Sequence, residues 1–203
     1  MRTTKYNEEL YLDGLSVIYS EGKRLESLSF KLMDLIMLQG DQFQMKTIDL
    51  GALITEIKPT LDIMGKEKQV TFVTECESGE LQLETDLIKV LIFNLVDNAL
   101  KASSAGQQVI TLRTYWQADK YILQVIDQGI GIAKEHQDKI FEPFYMADKA
   151  RTRSSNGAGL GLAICQSVAG IHNAIIQITS HERQGTAVEV IFPSIQSKGG
   201  ITQ

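Results

Sequence analysis

The sequence predicts an α+β fold, a two-layer sandwich in which a mixed sheet packs against three helices, preceded by a long N-terminal helix. Two observations lead to this prediction. Apolar residues recur every three or four positions over residues 5–38, which is the spacing of one helix face. After Gly40, short segments of alternating polarity are interleaved with longer segments of helical periodicity. We therefore expect an N-terminal helix within 1–43, a compact domain over 44–195 and a flexible tail over 196–203.

The N-terminal helix carries an apolar stripe that includes Leu15, Ile18 and Leu25, while charged residues such as Glu21 and Lys23 lie mostly off it. A single helix cannot bury such a stripe by itself. Either the helix folds back onto its own domain, or it forms half of a helical hairpin or dimer bundle. The sequence leaves both arrangements open.

The compact domain alternates strands with helices. In chain order the pattern predicts a strand over 45–50, a helix over 52–64, strands over 70–75 and 81–84, a helix over 86–102, a hairpin over 109–116 and 121–127, a helix over 159–170, and strands over 174–180 and 186–192. These elements sum to a mixed sheet with three main helices on one face.

The composition limits the classes of partner. Hydrophobic residues make up 43% of the chain, which is enough for a packed core. A net charge of −5 predicts no nucleic-acid partner, because such a partner normally requires a basic face. No apolar run approaches the roughly 20 residues of a membrane helix, and the two cysteines lack metal-ligand spacing. We expect a cytoplasmic location without membrane contact by this part, although a parent protein could be anchored upstream.

One predicted helix carries a polar stripe on an apolar background. Asn94, Asn98 and Lys101 are spaced by four and three residues, so they project from one helix face. The stripe could simply meet solvent. However, its flanks are apolar, and a buried asparagine needs a partner. An asparagine oxygen suits Mg²⁺, and a lysine one turn later can meet a phosphate.

Two glycine-containing segments follow. Asp127 ends a predicted strand before Gly129 and Gly131, which is typical either of an Asx turn or of a carboxylate that accepts a hydrogen bond from a flat base. Gly159 and its neighbours at 157 and 161 stand at the start of a helix, where free N–H groups suit phosphate. The basic residues before them are either solvated charges or cations that close over a triphosphate. These candidates are Gly157, Gly159, Gly161, Lys149 and Arg153.

These segments, in this order, resemble the catalytic and ATP-binding region of two-component sensor histidine kinases, in the superfamily that includes gyrase, Hsp90 and MutL. The matching stretches are the asparagine box N-L-V-D-N-A-L-K over 94–101, the first glycine box D-Q-G-I-G-I over 127–132, the phenylalanine box F-E-P-F-Y over 141–145, the second glycine box G-A-G-L-G-L over 157–162, and Gly185-Thr186 before a strand.

The resemblance implies a protein-histidine kinase domain that binds ATP and Mg²⁺. Asn98 would be the magnesium ligand, Lys101 and the glycine backbone would meet phosphate, and Asp127 would accept from the adenine amine. Phe141 and Phe144 would anchor a mobile lid over 145–156, and the N-terminal helix within 1–43 would be the second helix of a dimerisation and phosphoacceptor hairpin. The other residues implied in nucleotide binding are Gly129, Gly131, Ile132, Lys149, Arg153, Gly157, Gly159, Leu160, Gly161, Leu162 and Thr186.

Asn94 favours one branch of this superfamily. Hydrolysing members carry a glutamate four residues before the magnesium asparagine, and that glutamate activates the nucleophile. Asparagine cannot act as a general base. We therefore assign Asn94, with Asn98 and Lys101, to a catalytic group that favours transfer to histidine over transfer to water.

The acceptor of the phosphoryl group is expected outside this chain. Such kinases carry it on a hairpin helix before an acid and a proline, and none of His136, His172 and His181 has that setting. The expected partners are an acceptor helix, upstream or on a separate chain, a response regulator, and a second copy bound through the N-terminal helix. Two alternatives are a non-catalytic module gated by nucleotide, as in a degenerate or split kinase, and, less favoured, an ATPase.

Overall fold

The computed structural model describes residues 8–37, 43–103, 108–147 and 159–193. The helices in these ranges are α1 (Glu8–Met37), α2 (Leu50–Lys68), α3 (Thr85–Ala102), α4 (Lys134–Gln137) and α5 (Gly161–Ile171). The strands are β1 (Lys46–Asp49), β2 (Val70–Cys76), β3 (Glu80–Leu83), β4 (Gln108–Gln117), β5 (Lys120–Asp127), β6 (Ile175–His181) and β7 (Gly185–Phe192). The tail predicted over 196–203 lies outside the described residues.

A mixed sheet runs in the order β2-β4-β5-β7-β6. β2 and β4 are parallel, and every later neighbouring pair is antiparallel. The predicted α+β class with a mixed sheet is therefore confirmed. One detail differs, because β1 and β3 do not join this sheet. They pair with each other as a two-stranded antiparallel sheet, in the register that places Asp49 opposite Glu80.

The three long helices of the domain supply one side of the core. α2 packs on β2, α3 contacts β4, β5 and β7, and α5 contacts both β6 and α3. Their apolar faces join the inward side chains of the sheet in one cluster, which includes the wholly buried Ile54, Leu91, Ile92, Leu112 and Leu123. Burying one such side chain contributes roughly 1.5–3 kcal/mol. This packing fixes α3 as a rigid support.

The start of α3 is tied to the end of α5. The Glu84 carboxylate caps α3 by accepting a hydrogen bond from the Leu87 N–H at 2.6 Å. The Glu84 N–H donates in turn to Nε2 of His172, the residue that ends α5, at 3.0 Å. Nδ1 of His172 lies 2.8 Å from the Val168 carbonyl oxygen. The start of α3 and the end of α5 are thus held together through one imidazole.

The predicted N-terminal helix is present as α1. Stripe residues in the described part of α1 are exposed, with Leu15 at 45% and Ile18 at 69% of their maximum accessible surface. The described part of the domain therefore leaves these two positions uncovered, although α1 and α5 do contact each other. Among the described helices, none is both long enough and apolar enough to cross a membrane.

Candidate active site

A cavity of about 930 Å³ opens between α3, the loop after β5, α4 and the turn that joins β6 to β7. Seven of the residues singled out from the sequence line it, which is the first sign that the separate motifs form one site. These residues are Asn98, Lys101, Asp127, Gly131, Ile132, Leu162 and Thr186.

One wall of the cavity is α3. Asn98 and Lys101 line it, as the helical spacing predicts. The Nδ2 atom of Asn98 is buried and has no hydrogen-bond partner among the described residues, which is costly unless a ligand or water meets it. Lys101 is engaged, because its Nζ lies 2.6 Å from Oδ2 of Asp97. Asn94 is not among the lining residues; it is 9% exposed, and its Nδ2 donates to the Val90 carbonyl oxygen at 2.9 Å.

The start of α5 packs directly on these asparagines. A Cβ placed on Gly161 would lie 3.2 Å from Oδ1 of Asn94 and 3.4 Å from Oδ1 of Asn98. Because Gly161 has no side chain, the first turn of α5 approaches α3 this closely without displacing the asparagine amides. The N-terminal N–H groups of α5 therefore lie beside the polar stripe of α3, which is a favourable arrangement for an anion. Leu160 is fully buried, whereas Leu162 lines the cavity.

The cavity wall also contains a buried carboxylate. Asp127 is 7% exposed, and its Oδ1 accepts a hydrogen bond from the Gly129 N–H at 2.8 Å. Burial raises the pKa of the Asp127 carboxyl, although hydrogen bonds from the Gly129 and Thr186 N–H groups act in the lowering direction. Asp127 on β5 stands opposite Thr186 on β7. A buried acceptor that faces a cavity in this way can bind an amine of a ligand.

A hydroxyl cluster supports this part of the site. Oγ of Ser180 lies 2.9 Å from Oγ1 of Thr186 and accepts from the Ile132 N–H at 2.8 Å. Nε2 of Gln137 donates to the carbonyl oxygens of Ile132 and Ser180, at 2.9 and 3.0 Å. Neither Ser180 nor Gln137 belongs to any of the sequence motifs. Their role in holding the loop depends on the register of β6 and β7, which the local sequence does not reveal.

Gly131 requires the freedom of glycine for two reasons. Its φ of 66° lies in the left-handed region, and a Cβ would stand 1.9 Å from the His181 carbonyl oxygen. The loop after β5 therefore lies directly on the end of β6. This contact brings the β6–β7 turn, with Glu182 and Arg183, to the edge of the cavity, where sequence reasoning did not place it.

The segment after α4 reaches the site from another side. His136, a histidine of α4 without the sequence setting of a phosphoacceptor, also lines the cavity, and its Nδ1 lies 2.8 Å from the hydroxyl of Tyr145 in that segment. Phe144 is 56% exposed and is not among the lining residues; its N–H donates to the Gly159 carbonyl oxygen at 2.9 Å. Lys149, Arg153 and Gly157 lie outside the described residues.

A buried carboxylate and an asparagine line one cavity beside a glycine at a helix start, which is the arrangement expected of a nucleotide-binding domain. Residues 84–196 match the family described as histidine kinase-, DNA gyrase B- and HSP90-like ATPases, and the chain belongs to this family.

Its relatives narrow the class to the catalytic and ATP-binding region of sensor histidine kinases. The chain is 34% identical to the sensor histidine kinase YkoH of Bacillus subtilis over 193 residues, which are 95% of this chain and 41% of YkoH. It is 32% identical to the sensor protein kinase WalK of Staphylococcus epidermidis over 193 residues, 92% of this chain and 31% of WalK. It therefore spans less than half the length of either relative.

A solved structure supports the fold. The histidine kinase AdeS of Acinetobacter baumannii superposes with a TM-score of 0.70 at 19% identity, over 96% of this chain and 88% of AdeS. This likeness extends the match beyond the ATP-binding family segment and includes most of the chain.

Proposed function

We propose that this chain binds Mg-ATP in the cavity and transfers the γ-phosphoryl group to a histidine outside the chain, as the catalytic part of a two-component sensor histidine kinase. One observation carries the proposal. A single cavity is lined by the buried Asp127 and, on the α3 wall, by Asn98 and Lys101, so the partners for a base and for phosphates face the same space.

Each end of the nucleotide then has its own partner. Asp127 accepts a hydrogen bond from the exocyclic amine of adenine, with Thr186 and the loop of Gly129, Gly131 and Ile132 around the base. Lys101 and the N–H groups at the start of α5 meet the phosphates.

The residues on α3 also fit the expected metal. The side-chain oxygen of Asn98 is a hard ligand of the kind that Mg²⁺ prefers. The buried Nδ2 of Asn98, which has no partner among the described residues, is a donor that suits a phosphate oxygen. Bound to Asn98, Mg²⁺ would neutralise charge on the phosphates.

Catalysis in this arrangement depends on positioning and charge neutralisation. An imidazole nitrogen of the acceptor attacks the γ-phosphorus, the bond from phosphorus to the bridging oxygen breaks, and ADP leaves. Asn94 offers no base to activate water, and its Nδ2 is held by the Val90 carbonyl oxygen. This favours transfer over hydrolysis.

The placement of the chain's own histidines supports an external acceptor. Both ring nitrogens of His172 contact backbone groups in the interior. His136 lies in the cavity wall, and His181 ends the edge strand β6. The remaining proposed partners are a response regulator that receives the phosphoryl group and a second copy that packs on the exposed stripe of α1, in a cytoplasmic setting.

The test is transfer of radiolabel from the γ-position of ATP. The purified chain is incubated with Mg²⁺ and labelled ATP, with and without a separately purified phosphoacceptor hairpin from a sensor histidine kinase. We expect acid-labile label on the hairpin. Asn98→Ala should abolish this transfer, whereas Lys58→Ala, which removes a surface lysine paired with Asp62 on α2, should leave it unchanged.

Two other outcomes would contradict the proposal. Tight ATP binding without any transfer would favour a non-catalytic, nucleotide-gated module. Steady release of phosphate without the hairpin would favour an ATPase.

A further inference from the structure

The turn between β6 and β7 brings a cation to the cavity that no sequence motif includes. Arg183, in the middle of this turn, has a φ of 61°. Glycine and asparagine adopt this left-handed conformation readily, whereas a long side chain rarely does. A non-glycine residue held in this region beside a binding cavity suggests that its side chain has a function.

The backbone of the turn is fixed by contacts that do not involve the arginine side chain. The Arg183 N–H donates to the Ile130 carbonyl oxygen at 2.6 Å, and the Gln184 N–H donates to the His181 carbonyl oxygen at 3.1 Å. The close approach of Gly131 to the His181 carbonyl holds the same turn from the other side. A glycine at position 183 would therefore serve the turn at least as well as arginine.

The Arg183 side chain is available to a ligand. It lines the cavity and is exposed to solvent. In the part of the chain that the structure describes, no carboxylate forms an ion pair with it. Lys101 differs in this respect, because Asp97 already occupies its ammonium group.

The position of the turn indicates which part of a nucleotide it faces. The backbone N–H of Arg183 donates a hydrogen bond to the carbonyl oxygen of Ile130, which lies three residues after Asp127. Arg183 also lies three residues before Thr186, which pairs with Asp127 across β5 and β7. It therefore lies near the buried carboxylate, in contact with a loop whose Ile130 N–H also donates to the Ala102 carbonyl oxygen at the end of α3. The asparagines and the start of α5 form a different wall.

We propose that Arg183 is a base-contacting residue, whose guanidinium group covers the purine ring that Asp127 binds by its amine; this inference rests on the proposed ATP site. A guanidinium group is planar and stacks on aromatic rings, which the rounder ammonium group of lysine does less well. The contact would add to the affinity for the base whether or not phosphates are attached. It would also explain why an arginine occupies a position where glycine is easier.

The experiment compares adenosine with Mg-ATP in ligand-observed NMR and calorimetric titrations of the whole chain. Arg183→Gly should weaken both ligands by a similar factor, about 3- to 10-fold. Arg183→Lys keeps the positive charge but removes the planar guanidinium group, so it should weaken both ligands nearly as much as Arg183→Gly does. The control Gln184→Ala alters the neighbouring exposed residue of the turn and should change neither affinity.

The outcomes separate the alternatives. Because glycine suits the φ of position 183, Arg183→Gly should unfold at no lower denaturant concentration than the unmodified protein, so a loss of affinity would not reflect unfolding. Weakening of ATP alone, with rescue by lysine, would show a phosphate contact and overturn the inference. Unchanged affinity for both ligands would also overturn it. Failure of the unmodified protein to bind ATP would instead overturn the proposed function, and this inference with it.

Discussion

Nζ of Lys101 lies 2.6 Å from Oδ2 of Asp97, one helical turn earlier on α3. Both side chains are about one-third exposed, so this pair contributes little to stability. It matters because Lys101 is the residue we assign to the phosphates. In the proposed ATP complex, the Lys101 ammonium group must either leave the Asp97 carboxylate for a phosphate or contact both groups at once.

Asp97→Asn is therefore expected to tighten ATP binding, by about 2- to 5-fold, because it removes both a competitor for Lys101 and a negative charge near a polyanion. Calorimetry at low and high ionic strength provides the measurement, and the gain should shrink at high salt. Asp62→Asn is the matched control, since it breaks the i,i+4 pair with Lys58 on α2. Weaker binding by Asp97→Asn would show that the carboxylate belongs to the site itself.

Asp127→Asn is expected to reduce the affinity for ATP at least about tenfold and to narrow the preference for ATP over GTP. The Asp127 carboxylate is buried and accepts hydrogen bonds from two backbone N–H groups. Asparagine replaces one carboxylate oxygen by an NH2 group, which cannot accept a hydrogen bond from the adenine amine. Competition titrations with ATP, GTP and adenosine measure the change. Undiminished ATP affinity in this variant would remove Asp127 from the base site.

Gly161→Ala is expected to weaken Mg-ATP binding several-fold while changing the free energy of unfolding little. The added methyl group would stand 3.2 Å from Oδ1 of Asn94 and 3.4 Å from Oδ1 of Asn98, so the asparagine amides must shift by a few tenths of an ångström. Mg²⁺-dependent ATP titrations beside urea unfolding provide the two readouts.

Gly170→Ala, in the same helix, is the control for that variant. A Cβ there meets nothing within 4 Å, so the substitution should leave nucleotide affinity unchanged and stabilise α5 by about 0.5–1 kcal/mol. Equal effects of the two variants on binding would contradict a specific role for the packing of Gly161 on the asparagines.

Because of His172, we expect the free energy of unfolding to decrease at acid pH. Burial lowers the pKa of His172, and its Nε2 accepts from the Glu84 N–H, so the folded state requires the neutral ring. The unfolded chain titrates near the ordinary value of about 6.5, so stability is fully present above this pH and declines as pH falls towards the lower folded-state value. Urea unfolding at pH 8 and pH 5 measures the decline.

His172→Gln separates this effect from other titrations. The variant loses ring contacts and is less stable at both pH values, but its loss between pH 8 and pH 5 should be smaller than that of the unmodified protein. An equal loss in both proteins would show that other groups cause the acid sensitivity.

The elements that the sequence predicts well are those with a strong local period. The stripe of Asn94, Asn98 and Lys101 lies on one helix, and the strands that end at Asp127 and begin near Thr186 are bounded within one or two residues of their predicted limits. The class of the fold follows from these periods and is confirmed.

What the sequence does not predict depends on contacts between distant segments. Ser180, Gln137, His136 and Arg183 reach the cavity through the register of β5, β6 and β7 and through the contact of Gly131 with the end of β6. No local spacing encodes such contacts. The separate pairing of β1 with β3 escaped prediction for the same reason, since strand partners are chosen by tertiary packing.

The strand order has a consequence for the time at which the protein can first act. β7 follows β6 along the chain but inserts between β5 and β6, and it carries Thr186 to its place opposite Asp127. A nascent chain that ends before β7 can form neither the base end of the cavity nor a continuous sheet out to β6. The proposed base site can thus form only after β7 has been synthesised, so a chain interrupted before β7 lacks it.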